Sequence, residues 1–507
     1  MNYSPSGYYV WDGWCATRGS EVHLYHLQRS RNNIAGAPLD PVADMLGHAV
    51  TENLIDWKTL PPALQPDPSN KDDDLQPWTG CALWHKNLGY LFYTMRGSAN
   101  GARQQKIGLA TSSDLFHWQR HPGNPVLVPD ESLYATAKRP TPGVVDCRDL
   151  QVISAPHGGW YGFFATRQPG DELPETAVIG CAYSEDLIHW QQLPPAFAPN
   201  KYACIEVPDV FQIGDKWYLL CLTGNHYGNR DIFNDPNLLN GTIYAVAERP
   251  QGPYRELADN ALMAVRWPGP VSAKSVRFQD TLYVLYTDRE RTGTTDSGEV
   301  QFGTISTPKE LRVSGDELVA RYSPLIETRL ETELFSSGKK PLPTKEMPWA
   351  QYWPLHSGKW QNGDTIQGEC RSCWSVQPFD CHAESYIFEA RIEVETAVAA
   401  GFALRMNHPM VGGVVALDAT GQSVFFADAP SFDFQEKRRT SITRGRTYHL
   451  RVVQRLEHIE IYLDDMLKLA FSHYHGLIGG GMGLFVDRGK ASFSQVRIQS
   501  LRVTKPE

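Results

Sequence analysis

The chain of 507 residues is 41% apolar and 21% charged, and at about 100–200 residues per domain its length predicts two to four domains. Its formal net charge of −9 includes no long block of one sign, which excludes the basic surface typical of nucleic-acid binding. No uninterrupted apolar run reaches the roughly 18–20 residues of a membrane-spanning helix, so we expect no membrane partner. The 14 Trp, 22 Tyr and 20 Phe residues, with 42 Gly and 35 Pro, favour a β-rich fold whose aromatic faces suit sugar rings.

The N-terminal segment, MNYSPSGYYVWDGW, has neither the basic start nor the apolar core of a signal peptide. Nine cysteines are an odd number scattered along a long chain, which argues against a complete disulfide framework. We therefore expect a reduced, cytoplasmic protein, with a mature secreted form as the alternative. The sequence leaves the oligomeric state open.

Three short segments repeat one pattern: polar, Asp or Asn, Leu, apolar or aromatic, polar, Trp. They end at Trp57, Trp118 and Trp190, which lie 61 and 72 residues apart. A weaker fourth copy covers residues 247–254, and a fifth begins at Thr307. Pairs of alternating aromatic and β-branched segments precede several copies, as in GYLFYTMRG with KIGLATS, and predict strands.

These repeats predict an all-β chain with two domains. A unit of about 60–70 residues holding about four short strands is typical of a propeller blade, so residues 1–335 are predicted to form a five-bladed β-propeller, with a sandwich as the alternative. Residues 336–350 combine Ser, Gly, Lys and Pro without periodicity and are predicted to be a linker. In residues 351–507 the repeats stop, and alternating segments such as SYIFEARIEVE predict an accessory β-sandwich.

Two motifs resemble metal sites without matching one well. Cys370-x-x-Cys373, followed by Cys381 and His382, has one feature of a zinc site, but the spacing fits poorly and a second pair is missing. We interpret these cysteines as structural thiols. The acidic run at residues 72–74 is interpreted as a solvated loop. We expect no metal and no organic cofactor.

The repeat also ranks the acidic residues, because the innermost strands of a propeller line its central channel. Asp12, Asp149 and Glu206 lie 45, 41 and 48 residues before the aromatic residue that ends their own repeat. Trp78 holds the same phase in the second repeat, and residues 272–275 hold it in the fifth. Three carboxylates are therefore predicted to converge on one channel mouth as catalytic residues.

Two carboxyl groups flanking one bond are what glycoside hydrolysis needs. One must be ionised, and the other must hold a proton near neutral pH, which burial and a neighbouring negative charge favour. Arg148 adds a planar donor suited to sugar hydroxyls, with a salt bridge to the carboxylates as the alternative. Trp11, Trp14 and Trp78 are candidates for an apolar floor under a sugar ring, with core packing as the alternative for each.

At these residues the chain resembles the fructan-active glycosidases, meaning glycoside hydrolase family 32 (invertases, inulinases and levanases) and its relative family 68 (levansucrases). The string Trp11-Asp12-Gly13-Trp14 is similar to the levansucrase Trp-Asp-Ser-Trp string, whose Asp is the nucleophile. The string Trp78-Thr79-Gly80 resembles the Trp-Ser-Gly motif of the substrate pocket. This resemblance implies that Asp12 is the nucleophile and that Thr79 binds substrate.

Three further motifs follow in the family's order. Arg148-Asp149 resembles the Arg-Asp-Pro motif, whose Asp stabilises the transition state, although Leu150 replaces the Pro. The segment at 206–209 resembles the Glu-Cys-Pro-Asp motif, whose Glu is the acid/base. The segment at 271–275 resembles part of the fifth blade, and with it Lys274 is implied to bind substrate. The first motif resembles family 68, whereas the two-domain layout resembles family 32.

We therefore expect a retaining glycosidase that cleaves β-fructofuranosidic bonds in sucrose, fructooligosaccharides or fructans, with fructosyl transfer when a sugar replaces water. Retention predicts about 5–5.5 Å between the carboxyl groups of Asp12 and Glu206. One alternative is an inverting arabinanase or xylosidase of family 43, with Asp12 as general base. The other is a propeller that binds carbohydrate without catalysis.

Overall fold

The structure is a computed structural model. It describes residues 2–31, 45–99, 104–136, 146–169, 176–229, 233–266, 269–291, 300–339, 358–407, 411–429, 432, 435–474 and 480–502. Most of the predicted linker, residues 340–350, lies outside the described residues. Within those ranges the chain forms 33 strands and two short 3-10 helices, Asn225–Tyr227 and Pro324–Arg329, so the predicted all-β class is confirmed. None of the described helices is long and apolar enough to cross a membrane.

The first sixteen strands form four units of four strands, and within each unit consecutive strands pair antiparallel. Unit 1 contains β1 (Tyr8–Arg18), β2 (Glu21–Ser30), β3 (Met45–Thr51) and β4 (Lys58–Leu64). Unit 2 contains β5 (Trp78–His85), β6 (Leu88–Met95), β7 (Lys106–Ser112) and β8 (Gln119–Arg120). Unit 3 contains β9 (Arg148–Ser154), β10 (Trp160–Arg167), β11 (Ala177–Ser184) and β12 (Gln191–Phe197). Unit 4 contains β13 (Glu206–Ile213), β14 (Lys216–Gly224), β15 (Asn240–Ala247) and β16 (Arg255–Val265).

The fifth unit begins in the same way, but its third strand is split in two. It contains β17 (Val271–Phe278), β18 (Thr281–Arg291), β19 (Val300–Ile305) and β20 (Lys309–Ser314). Strand β18 pairs with β17 on one side, and on the other with β19 at its end and β20 nearer its start. The first strands of the five units contact one another in the order β1, β5, β9, β13, β17, and β17 contacts β1.

The repeated sequence pattern forms the turn between the third and fourth strands of units 1, 2 and 3. Its Asx residue accepts backbone N–H bonds of 2.8–3.0 Å from the residues two and three places on. The Leu that follows has a positive φ and a buried side chain in all three turns: Leu54, Leu115 and Leu187. An Asx-capped turn explains the pattern, because the short carboxylate or amide satisfies backbone donors that no strand neighbour reaches.

The remaining thirteen strands lie in the C-terminal part of the chain. They are β21 (Glu317–Arg321), β22 (Leu330–Ser336), β23 (Gly358–Gln361), β24 (Thr365–His382), β25 (Ser385–Val394), β26 (Ala399–Asn407), β27 (Val411–Asp418), β28 (Ser423–Ala429), β29 (Gln435–Arg439), β30 (Thr447–Arg455), β31 (His458–Leu463), β32 (Met466–Ser472) and β33 (Gly481–Leu501). Strand β22, which ends at the start of the predicted linker, pairs with β33.

Two groups of strands share the core of this part. One group runs β25-β30-β31-β32 and the other runs β26-β27-β28-β29, each antiparallel. The long strands β24 and β33 pair with each other, and β33 pairs with β26 through its first half and with β25 through its second. Phe388 and Phe402, one from each group, stack at 3.9 Å between ring centroids in the buried core.

Candidate active site

The first strand of every unit is interrupted by a β-bulge. The register of each strand against its neighbour shifts at this phase in all five units. In four of the bulges a residue has a positive φ between 43° and 61°: Asp12, Asp149, Val207 and Ser272. Bulges redirect a side chain from the face it would otherwise occupy, and strained backbone of this kind gathers at functional sites. The phase that ranked the acidic residues therefore corresponds to one recurring feature of the backbone.

Asp12 is held by two hydroxyl groups from neighbouring units. Thr79 donates to Oδ2 of Asp12 at 2.6 Å, and the Ser272 hydroxyl donates to Oδ1. Burial raises the pKa of Asp12, whereas the two hydroxyl donors and the charges of Lys274 and Arg289 oppose that rise. Because both carboxyl oxygens accept hydrogen bonds, the two hydroxyls fix the orientation of the Asp12 carboxyl group.

Asp149 is 3% exposed and lies between units 2 and 4. Its Oδ2 accepts the backbone N–H of Val207 at 3.0 Å, and its own N–H donates to Thr94 Oγ1 at 2.9 Å. Burial raises the pKa of Asp149, and the negative charges of Glu206 and Asp12 raise it further against the opposing charge of Arg148. The mutual effects on pKa place the three carboxyl groups in one electrostatic cluster.

Glu206 begins β13 and accepts hydrogen bonds on both carboxyl oxygens. Arg148 Nη2 donates to Oε2 at 2.9 Å, and the Tyr227 hydroxyl donates to Oε1. Burial raises the pKa of Glu206; the Arg148 charge lowers it and the Asp12 charge raises it. Burial beside a second carboxylate is the setting in which a carboxylic acid keeps its proton near neutral pH.

Arg148 connects these carboxyl groups to a second layer. Besides Glu206 it contacts Asp149, with 3.5 Å from Nε to Oδ2, and Asp146, with 2.6 Å from Nη1 to Oδ1. Asp146 in turn accepts a 2.5 Å bond from Arg167 Nε. Arg148 is 8% exposed, and its guanidinium joins three carboxylates. These contacts fit the alternative in which Arg148 forms salt bridges with the carboxylates. Direct binding of sugar by Arg148 stays a prediction.

The three predicted tryptophans have different surroundings. The Arg96 guanidinium lies over the Trp78 ring, 3.9 Å from the ring centroid, and burial lowers the pKa of Arg96. Trp11 stacks on Phe302 at 3.9 Å between centroids, and its side chain is 7% exposed. Trp14 is 2% exposed and packs in a core cluster of units 1 and 2. Trp78 is thus the most accessible of the three for a ligand.

Lys274 lies behind the carboxylates. Its Nζ donates to the backbone oxygen of Pro208 at 2.7 Å and to Gln151 Oε1 at 3.4 Å, and the side chain is buried. Its charge lowers the pKa of Asp12 and of Asp209. Lys274 therefore acts on the site through its positive charge, and its predicted contact with substrate stays a prediction.

Four residues in or beside the cluster were not singled out from the sequence as site residues. Ser272 stands in the fifth-unit segment at the shared phase, so the phase contained a signal for it. Tyr227 comes from a short 3-10 helix outside the repeat and Asp146 precedes its strand, and neither position has a periodic signal. Burial lowers the pKa of Arg289, on β18, and the charges of Asp12 and Glu206 oppose that change. Arg289 therefore lies close enough to the cluster to feel its charge.

The residues that resembled cation sites have other partners. In the acidic run, Asp72 pairs with Lys106 at 2.7 Å, Asp73 with Arg120 at 2.6 Å, and Asp74 with Lys71 at 2.8 Å. Each carboxylate of the run thus has a basic partner. Among the described residues, the group whose ligand atoms lie close enough for an ion is Glu290, Glu457 and His458, and Glu290 pairs with Arg31 at 2.8 Å.

Solved structures share this fold. The exo-inulinase of Aspergillus awamori aligns with a TM-score of 0.69 at 15% identity, covering 99% of this chain and 98% of that one. Fructan 1-exohydrolase IIa of Cichorium intybus aligns with a TM-score of 0.68 at 16% identity, covering 99% and 97%. At these identities the likeness defines the class of fold.

A family model matches part of the sequence. Residues 24–244 match the model described as the glycosyl hydrolases family 32 N-terminal domain. The resemblance to family 32 predicted from the motifs is confirmed for this part of the chain. The match includes Asp149 and Glu206 and begins after Asp12.

Curated relatives match a similar part of the chain. Sucrose-6-phosphate hydrolase of Zymomonas mobilis subsp. mobilis is 26% identical over 226 residues, covering 42% of this chain and 41% of that protein. An insoluble β-fructofuranosidase isoenzyme of Arabidopsis thaliana is 26% identical over 196 residues, covering 38% and 32%. The aligned parts thus span 41% and 32% of the lengths of these two relatives.

Proposed function

We propose that this chain is a retaining glycosidase that cleaves β-fructofuranosidic bonds in sucrose, fructooligosaccharides or fructans. The observation that carries the proposal is the convergence of Asp12, Asp149 and Glu206 from three different units, each at or beside a bulge and each raised in pKa by burial. The names of the family 32 relatives support the class of substrate.

The architecture that we propose for this activity is a five-bladed β-propeller followed by a β-sandwich. Units 1–5 would be the blades, supported by the contact of β17 with β1 and by the Val10–Gly303 bridge between β1 and β19. In this proposal the propeller spans residues 1–335, the linker spans residues 336–350 and the sandwich spans residues 351–507. The central channel of such a propeller gathers the bulged strands at one end, where the carboxylates lie.

Glu206 is the proposed acid/base. Protonated Glu206 gives its proton to the oxygen of the leaving sugar, which prevents expulsion of an unstable alkoxide. Tyr227 donates to one carboxyl oxygen and Arg148 to the other, so both fix the orientation of the group. The lowering effect of Arg148 and the raising effect of burial and Asp12 oppose each other, which keeps the proton transferable in both directions.

Asp12 is the proposed nucleophile. Its ionised oxygen attacks the anomeric carbon as the leaving sugar departs, and the product is a covalent fructosyl-enzyme. The Thr79 and Ser272 hydroxyls hold the carboxylate, so little orientation is lost at the moment of attack. Glu206, now ionised, then deprotonates water, which releases fructose and restores Asp12. A sugar hydroxyl in place of water gives fructosyl transfer.

Asp149 is the proposed stabiliser of the transition state. The reacting sugar carries positive charge in an oxocarbenium-like transition state, and a nearby carboxylate stabilises that charge. The Asp149 carboxylate accepts the backbone N–H of Val207, which fixes Asp149 against unit 4, beside the proposed acid/base. Trp78 and Thr79 are proposed to line the substrate pocket, and we assign Trp14 to the core.

Assay of sucrose, inulin, levan and aryl arabinofuranosides tests this proposal directly. We expect cleavage of at least one fructoside and release of fructose with retained configuration, detected by NMR of the first product formed. Cleavage of arabinofuranosides alone with inversion would replace the proposal with the family 43 alternative. Tight binding of fructosides without any turnover would favour a non-catalytic sugar-binding protein.

Two variants test the roles of the carboxylates on the substrate that the panel identifies. Asp12→Asn is expected to lower kcat by about 10⁴-fold or more, because the nucleophile is lost. Glu206→Gln is expected to lower it by about 10²–10⁴-fold, and much less on an aryl fructoside whose leaving group needs no proton. Asp215→Asn, in the exposed turn after β13, is the control and is expected to leave kcat unchanged. Full activity of Asp12→Asn would remove the catalytic assignment.

A further inference from the structure

Two thiols meet at an irregular point of the C-terminal part. The Sγ atoms of Cys370 and Cys373 on β24 lie 3.7 Å apart. Residue Cys370 pairs with Gly489 of β33, and the next paired residue, Trp374, pairs with Asp487. An advance of four residues along β24 therefore lies opposite an advance of only two residues along β33. The surplus backbone bulges out, and this returns Cys373 to the side of Cys370.

The bulge lies where β24 passes from one group of strands to the other. Before it, β24 pairs with the part of β33 that pairs with β25; after it, β24 pairs with the part that pairs with β26. Arg488 and Gly489 opposite the bulge both have positive φ, so β33 is also bent at this level. The two thiols therefore lie at a corner that joins the two groups of strands.

The two thiols differ in exposure. Cys370 is 1% exposed, whereas Cys373 is partly exposed. A thiol reacts as its thiolate, and a small disulfide in solution must be able to reach it. Cys373 combines access from solvent with a second sulfur in contact.

We infer that Cys370 and Cys373 form a reversible dithiol–disulfide site that is oxidised by low-molecular-weight disulfides such as oxidised glutathione. The thiolate of Cys373 attacks one sulfur of the small disulfide and releases one thiol, leaving a mixed disulfide on Cys373. The thiolate of Cys370 then attacks the Cys373 sulfur and releases the second thiol. The protein loses two protons and two electrons, and the small disulfide is reduced to two thiols.

The geometry requires little movement. A disulfide bond is about 2.05 Å long, so the two sulfur atoms must approach each other by roughly 1.7 Å from their 3.7 Å contact. Cys373 lies in the extra backbone of the bulge, where no partner on β33 holds it in register. Rotation of its side chain and adjustment of the bulge therefore supply the approach without breaking the ladder on either side.

Mass spectrometry of the full chain tests the site. The reduced protein is incubated with oxidised glutathione, quenched in acid and alkylated, and its intact mass and peptide map are recorded. We expect a species about 2 Da lighter than the reduced protein, with a link between Cys370 and Cys373 that dithiothreitol removes. The Cys370→Ser variant is expected to stop at a glutathione adduct on Cys373. The Cys381→Ser variant is the matched control and is expected to form the link.

Three results would overturn the inference. The first is a wild-type chain that keeps both thiols alkylatable under oxidation. The second is a lasting glutathione adduct on Cys373 although Cys370 is present, which would show that the second attack does not occur. The third is a link from either thiol to Cys381. Circular dichroism of each serine variant separates these results from misfolding.

Discussion

At the scale of single residues, Asp146 in the second layer behind the carboxylates influences the pKa of Glu206, the proposed acid/base. Asp146 is buried and accepts hydrogen bonds from Arg148 and Arg167, so it holds the guanidinium that contacts Glu206. Its own negative charge is among the influences that raise the pKa of Glu206, after burial and the charge of Asp12. Asp146 has no place in the proposed chemistry except through these neighbours, and we regard it as a positioning residue.

Replacing Asp146 by Asn is expected to move the pH dependence of activity. Loss of the Asp146 charge lowers the pKa of Glu206, so Glu206 gives up its proton at a lower pH. The alkaline limb of the kcat/KM profile should therefore shift to lower pH, while Asp215→Asn leaves the profile in place. A profile that keeps its position, or moves to higher pH, would contradict the assigned role. The measurement is kcat/KM across pH on the substrate identified by the panel.

Single residues also show which members of the candidate site the sequence repeat could identify. Asp12, Asp149 and Glu206 were found by phase because their bulges recur in every unit. Tyr227 was not found, since it comes from a 3-10 helix after β14 and reaches Glu206 only through the fold. Residues supplied by irregular segments have no periodic signal, and only their position in space reveals them.

At the scale of elements, the repeated turn is a small structural device that the chain uses three times. In unit 3, Asp186 accepts the N–H of Ile188 at 2.9 Å and of His189 at 2.8 Å. These bonds hold Leu187 at a φ of 69° with its side chain in the core. The pattern therefore marks a structural turn in units 1, 2 and 3, because its polar residue satisfies backbone donors and its Leu is buried.

Replacing Asp186 by Ala is expected to lower the free energy of unfolding by about 1–2 kcal/mol, because two backbone donors lose their acceptor. Urea unfolding followed by fluorescence measures the change. Asp215→Ala removes a carboxylate from an exposed turn and is expected to have little effect. Equal effects of the two substitutions would show that the turn does not stabilise unit 3.

At the scale of the whole molecule, a buried charge network joins unit 5 to the C-terminal part. Glu460 on β31 accepts hydrogen bonds from Lys309 at 2.6 Å, Arg455 at 2.7 Å and the Tyr286 hydroxyl at 2.9 Å. Tyr462 donates to its other oxygen. Although burial opposes ionisation, the Arg455 and Lys309 charges hold the pKa of Glu460 well below its usual range. The network joins residues far apart in sequence.

Neutralising Glu460 tests how strongly this contact holds the two parts together. Glu460→Gln removes the carboxylate that contacts Lys309 and leaves Arg455 with Asp288 at 3.8 Å, which is expected to cost about 3–5 kcal/mol. Glu389→Gln is the control, because Glu389 pairs with Arg451 inside the C-terminal part and is more exposed. Denaturant unfolding should show the larger loss for Glu460→Gln. A loss no larger than that of the control would contradict a joining role.

The sequence by itself predicted the all-β class, the resemblance to family 32 and the three central carboxylates. Repetition makes this possible, because a unit that recurs must place equivalent residues in equivalent backbone positions, and alternation of apolar residues specifies strands. The tertiary structure alone decided which groups complete the site and how they are charged. Ser272 and Thr79 reach Asp12 from two other units, and the pKa of Glu206 depends on burial by all of them. Electrostatic effects of this kind depend on distance in space, which spacing along the chain does not contain.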